Sequence, residues 1–171
     1  MDREMRLSVY LPTGYNASQR YPVLYFIHGY GSRETDMWGG LELQKNADRL
    51  IEAGQIEPLI IVSPQMDNSY GLNAVANPGD PASLGSERYE DYLVKDVVEY
   101  TDTHFNTLAE RGSRYIGGIS MGGFISLHSA FFCIAMSIAG LAGIARRCSW
   151  MTGLLLEART VWSNSSIRRR R

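Results

Sequence analysis

Cysteine is scarce in this chain: two in 171 residues, Cys133 and Cys148. Their spacing fits neither a zinc site nor a redox pair, so neither a metal centre nor a disulfide framework is expected. No internal repeat is present, which excludes repeat arrays. No apolar run follows the charged opening Met1-Asp2-Arg3-Glu4. A secretory leader is therefore not expected, and a cytoplasmic location is. Against these absences stand 44% hydrophobic and 20% charged residues, ordinary proportions for a globular protein. The length allows one domain with a substantial core.

Charge is unevenly placed. From Cys133 onward there are seven arginines, one glutamate and no lysine, a local net of +6 in a chain whose total is −1. Residues 1–132 therefore carry −7. Along that first part, Arg6–Leu11 alternates and ends at Pro12-Thr13-Gly14, a strand and a turn. Tyr21–Ile27 and Leu59–Val62 read as buried strands, and Ser32–Gly40 as a loop. Leu43, Ala47, Leu50 and Ile51 share a helical face that Gly54 ends. The segment Pro64–Gly85 is rich in Asn, Gly, Pro and Ser and reads as a long loop lining a site. Glu87–Phe105 is helical, with Tyr89, Leu93, Val97 and Tyr100 on one stripe. Alternating strands and helices with continuous apolar strands predict an α/β fold, a mostly parallel sheet with helices on both faces.

Gly118-Ile119-Ser120-Met121-Gly122 reads G-x-S-x-G, between the strand-like Arg114–Gly117 and a helix over Met121–Ala130. A sharp strand-to-helix turn lifts a serine hydroxyl clear of the sheet, and Gly118 and Gly122 are needed because a Cβ would collide there. The helix N-terminus behind Ser120 supplies donors and positive potential for an oxyanion. Upstream, His28-Gly29-Tyr30-Gly31 follows the strand Tyr21–Ile27. Its glycines let main chain approach a substrate carbonyl. Ser120 is the expected nucleophile, the backbone N–H groups of Tyr30 and Met121 the expected oxyanion donors, and His28, Gly29 and Gly31 the supporting loop. Trp38 and Asp36 read as packing and a helix cap ahead of an acyl-pocket role. Tyr70, Asn73 and Asn77 sit where a long loop could touch substrate.

These stretches, with Val9-Tyr10-Leu11-Pro12, Tyr21-Pro22-Val23-Leu24-Tyr25 and Gly117–Gly123, resemble the putative-esterase family of α/β-hydrolases. That group includes S-formylglutathione hydrolase (esterase D), tributyrin-type, enterochelin-esterase-like and feruloyl esterases, and mycolyltransferases. The resemblance covers about residues 1–132. It implies a serine hydrolase of carboxylic esters or thioesters acting through an acyl-enzyme on Ser120, with a small acyl ester as partner and no metal or organic cofactor.

The pattern then breaks. In this fold the triad runs Ser, then Asp or Glu, then His. After Ser120 the only histidine is His128 and the only carboxylate Glu157. A helical rise of about 1.5 Å per residue puts His128 roughly 12 Å along the axis from Ser120. His28 and His104 read as structural. Neither triad acid nor triad histidine is identifiable. Two other functions follow from the same residues: an inactive binding module that holds acyl ligands or a partner, and an acyltransferase of the mycolyltransferase type.

Residues 133–171 form an atypical basic tail, here read as a C-terminal truncation of the family pattern or a frameshift near Phe132 or Cys133. A shifted reading of 133–153 permits a family-like strand and loop. Phe124–Ala145 is uncharged and precedes Arg146-Arg147, but its first half is the expected buried helix, so a membrane span is not expected. The closing Arg168–Arg171 lacks aromatic interleaving, which argues for a solvated end and against nucleic-acid binding. An incomplete α/β-hydrolase core, with the C-terminal part of the fold missing, would expose sheet edge and apolar surface. Poor solubility or homo-oligomeric association is the expectation.

Overall fold

The computed structural model describes residues 4–73, 88–132 and 164–167. Five strands form one sheet in the order β4-β2-β3-β1-β5: β1 (Met5–Tyr10), β2 (Val23–Ile27), β3 (Ile60–Pro64), β4 (Arg114–Gly118) and β5 (Asn164–Ile167). β2 pairs parallel with both β3 and β4. β1 runs antiparallel to β3 and to β5. The sheet is therefore mixed, with a parallel centre where the strand sequences are most continuously apolar.

β1, β2 and β3 alternate their side chains between two cores. On one face Leu7, Val9, Tyr25, Ile27, Ile60 and Val62 pack with Leu93, Val97, Ile116, Met121 and Ile125. On the other, Tyr10, Phe26 and Ile61 meet Met37, Trp38, Leu43 and Ala47. Full burial of each such aliphatic side chain stabilises by about 1.5–3 kcal/mol. The second face is covered by α1 (Asp36–Gly39) and α2 (Leu43–Glu52). The first is covered by α3 (Tyr89–Asp91), a π-helical stretch Tyr92–Val97, α4 (Val98–His104) and α5 (Met121–Phe132).

Helices thus cover both faces as the alternating pattern implies. The 32–40 segment read as a loop is partly helical. Its short α1 buries Met37 and Trp38, the packing role anticipated for Trp38. The cap expected of Asp36 is not formed: Thr35 is the N-cap, with no side-chain capping bond, and Asp36 opens the helix and accepts the Arg33 N–H at 2.9 Å. Gly54 follows α2 with φ +65°, in the left-handed region typical of a helix stop. The stripe Tyr89, Leu93, Val97 is buried as read, but its helix widens to π over Tyr92–Val97.

β5 had no counterpart in the sequence reading. It pairs Asn164 with Ser8 and Ile167 with Met5, so part of the basic tail joins the sheet edge. The remaining tail residues, 133–163 and 168–171, lie outside the described residues, as does the second half of the 124–145 stretch. Among the described residues no helix is long and apolar enough to cross a membrane.

One buried carboxylate with two partly exposed cations gives a pH test. Asp91 accepts from Lys95 Nζ at 2.6 Å and also pairs with Arg88. The Lys95 hydrogen bond, then that of Arg88, holds its carboxyl below the ordinary 3.8. Because the folded value is the lower one, the pair stabilises the fold above that ordinary value and loses its effect as pH falls through the folded one. Asp91→Asn is expected to cost under about 1 kcal/mol at pH 7, since both cations are partly solvated. The difference from wild type should vanish in urea melts run below the folded pKa.

Candidate active site

β2 and β4 end side by side, with Ile27 opposite Gly118. The Ile119 N–H donates to the Ile27 carbonyl at 3.2 Å. The chain then turns sharply: Ser120 has φ +52°, a left-handed backbone that costs a residue with a Cβ about 1–2 kcal/mol. Neighbours over-determine the turn. A Cβ on Gly118 would stand 2.5 Å from the Ile27 carbonyl oxygen, and one on Gly122 2.1 Å from the same atom. Only bare glycine backbone lets α5 start this close to β2. The Ser126 hydroxyl donates to the Gly122 carbonyl at 2.7 Å and secures the first turns of α5.

Ser120 is exposed at the carboxyl end of the parallel strands. The turn His28–Ser32 lies against it: a Cβ on Gly29 would be 3.9 Å from the Ser120 Cβ and 3.5 Å from the Ile119 carbonyl oxygen. Neither the Tyr30 N–H nor the Met121 N–H has a hydrogen-bond partner among the described residues. Unpaired donors beside an exposed serine, one of them at the positive end of α5, suit a developing negative charge.

The histidines stand elsewhere. His28 is fully buried. Its Nε2 accepts the Met66 N–H at 3.0 Å, and its Nδ1 donates to the Gly29 carbonyl at 2.8 Å. Both ring nitrogens are engaged in holding the turn. His104 closes α4, bonded through Nδ1 to the Tyr100 carbonyl at 2.9 Å and stacked on the Tyr100 ring. His128 lies two turns along α5, stacked against Phe124 with ring centroids 6.0 Å apart.

Three aromatic rings stand in a row between the His28–Ser32 turn and α5. Tyr30 and Tyr70 have centroids 6.1 Å apart, and Tyr70 meets Phe124 edge-on at 5.8 Å. The Phe124 N–H donates to the Ser120 carbonyl. All three rings are 45–61% exposed, high for large aromatic side chains. Asn73 is turned to other work, accepting the Asp91 N–H at 3.2 Å; Asn77 lies outside the described residues. The sequence reading missed Asn68, whose Oδ1 accepts the Gly31 N–H at 2.8 Å. A loop asparagine carries no periodic or motif signal that could have marked it. Among the described residues no cluster of His, Cys, Asp and Glu could hold a metal ion.

A family model described as Putative esterase matches residues 1–163. An endo-1,4-beta-xylanase/feruloyl esterase of Xylanibacter ruminicola is 35% identical over 121 residues, covering 68% of this chain and 16% of that protein. An esterase of Mycobacterium tuberculosis is 32% identical over 151 residues, covering 82% of this chain and 30% of that one. Among solved structures, the feruloyl esterase module from Clostridium thermocellum, complexed with sinapinate, aligns with TM-score 0.64 at 20% identity. That alignment covers 88% of this chain and 62% of the module. An S-formylglutathione hydrolase from Agrobacterium tumefaciens aligns with TM-score 0.56 at 20% identity, covering 74% and 47%. The chain thus spans under a third of these two curated relatives and about half to two thirds of these structures. At such identity the structural likeness establishes the fold alone: this sheet and its helices form part of an α/β-hydrolase fold.

Proposed function

The chain belongs to the Putative esterase family, and from that premise we propose that it carries the nucleophile and oxyanion site of a serine carboxylester or thioester hydrolase. The observation that supports this best is the exposed, left-handed Ser120 beside two unpartnered backbone N–H groups. Ser120 Oγ attacks the acyl carbonyl carbon. The carbonyl oxygen, now an anion, takes hydrogen bonds from the Tyr30 and Met121 amides. The alkoxide or thiolate departs with a proton, and water later releases the acid from the acyl-serine. No metal or organic cofactor enters these steps.

The acyl group we assign is aromatic. The exposed rings of Tyr30, Tyr70 and Phe124 form one row, which starts next to the Gly29 that lies against Ser120 and ends one turn along α5 from it; offset or edge contacts with a substrate ring are worth about 0.5–1.5 kcal/mol each. Feruloyl esters, the chemistry in the names of the Xylanibacter and Clostridium relatives, fit such a row.

Proton transfer is not assigned to a residue of this chain. His28 is committed to the Gly29 turn and His104 to Tyr100. His128 is displaced along α5 by about 12 Å at 1.5 Å per residue. This favours a second reading, an acyl-binding site with only the residual catalysis that an oxyanion hole supports. A fluorophosphonate probe separates the two. Rapid covalent labelling, located at Ser120 by peptide mass spectrometry, is the expected result for the hydrolase. A chain that binds a ferulate ester yet leaves Ser120 unlabelled is the binding module, and labelling at a different serine overturns both.

A further inference from the structure

The loop after β3 is held in an unfavourable shape. Asp67 and Tyr70 have φ of +45° and +54°, a left-handed backbone that costs residues with a Cβ. Such backbone persists where surroundings impose it. Here the Asp67 carboxylate accepts from Gln65 Nε2 at 3.0 Å and from the Tyr89 hydroxyl. The Ser69 hydroxyl donates to the Met66 carbonyl at 2.7 Å and accepts the Gly71 N–H at 3.0 Å.

This pinned loop hydrogen-bonds to the His28–Ser32 turn at two points, besides the Tyr70–Tyr30 ring contact. Met66 N–H donates to His28 Nε2 at 3.0 Å, and Asn68 Oδ1 accepts the Gly31 N–H at 2.8 Å. Within the turn, the Gly29 carbonyl accepts from His28 Nδ1 at 2.8 Å and from the Ser32 N–H at 3.1 Å. That carbonyl shares a peptide plane with the Tyr30 N–H. A trans peptide directs its N–H opposite to its C=O, so fixing one aims the other. The following peptide, which ends in the Gly31 N–H, is fixed by Asn68 alone among the described residues. Gly31 itself has φ +75°, a residue type with wide rotational freedom once untethered.

We propose that Asn68 is a positioning residue for the Tyr30 oxyanion donor, acting through the Gly31 amide. Among the described residues its hydrogen bond goes to the Gly31 amide and not to Ser120. Its amide oxygen stops the Tyr30–Gly31 peptide from rotating and drawing the Tyr30 N–H off its aim. The inference rests on the oxyanion reading of Tyr30 given above.

Asn68 is exposed, so its truncation opens no buried cavity, and folding and alignment effects can be separated. The test is the kinetics of Ser120 labelling by a fluorophosphonate, resolved into a maximal rate and a half-saturating concentration. Asn68→Ala is expected to lower the maximal rate about tenfold, part of the 10²–10³-fold attached to outright loss of an oxyanion donor. The half-saturating concentration and melting temperature should stay unchanged. Asn68→Asp, which keeps an acceptor for the Gly31 N–H, should recover most of the rate. An Asn68→Ala protein that labels at the wild-type rate overturns the positioning role while leaving Ser120 as nucleophile. So does a loss that Asn68→Asp does not restore, or one matched by a lower melting temperature. A wild-type Ser120 that never labels removes the hydrolase reading and this inference together.

Discussion

Ser120→Ala is expected to reduce p-nitrophenyl acetate turnover to the rate of buffer alone. Every other part of the proposed reaction is arranged around that one oxygen: the Gly29 backbone lies against its Cβ, and the Tyr30 and Met121 amides have no other described partner. Turnover surviving in Ser120→Ala would show that another group attacks the ester, and would end the proposal. Ser120→Gly adds a second reading of the same site. It is equally inactive, but glycine accepts φ +52° without the 1–2 kcal/mol that a Cβ costs there. After glycine's greater unfolded-state entropy is subtracted, Ser120→Gly should be about 1 kcal/mol more stable than Ser120→Ala. Urea unfolding of the two variants measures this. Equal stability would mean that the turn stores no strain.

Gly122→Ala is expected to be the most damaging single methyl in the described chain. Its Cβ would sit 2.1 Å from the Ile27 carbonyl oxygen and 2.8 Å from that of His28. Both obstacles are backbone, so no rotamer change relieves them. α5 would have to lift off β2, the strand that pairs with both β3 and β4. Overpacking of well-packed cores commonly costs about 1–3 kcal/mol; displacement of backbone at the sheet centre should put this variant at about 3 kcal/mol or above. Gly123→Ala is the control. Its Cβ would meet only the Gly118 carbonyl oxygen, at 3.5 Å, an ordinary contact. Being within α5, it should be neutral or stabilising by up to about 1 kcal/mol. Equal urea midpoints for the two variants would refute the steric account of Gly122.

The architecture was legible because its signals are local. Tyr21–Ile27 and Leu59–Val62 are too apolar for anything but buried strand, and β2 and β3 lie within them or overlap them. The helix through Leu43, Ala47 and Leu50 shows its face by period alone, and α2 buries that face. Where the reading fell short, the deciding partner was distant in sequence. The α1 turn at Asp36–Gly39 is stabilised by burying Met37 and Trp38 against Phe26 and Ile61, which no window around residue 36 contains. The π-helical widening at Tyr92–Val97 falls in a stripe that reads as plain α-helix. β5 pairs residues some 160 positions apart, and its Asn-Ser-Ser-Ile has little strand character of its own.

The candidate site divides the same way. The spacing in Gly118–Gly122 demands a turn too tight for a Cβ, so the place of Ser120 and the need for both glycines were readable before any coordinates. The length of α5 between Ser120 and His128 was equally readable, and with it the separation of the only later histidine from that serine. Three-dimensional packing alone decided what the His28–Ser32 turn does. It buried His28 and occupied both of its nitrogens. It brought Asn68 from beyond β3 to the Gly31 amide, and it set Tyr30, Tyr70 and Phe124 in one exposed row. Short-range sterics are written in adjacent letters, whereas hydrogen bonds between loops depend on where a sheet carries their ends.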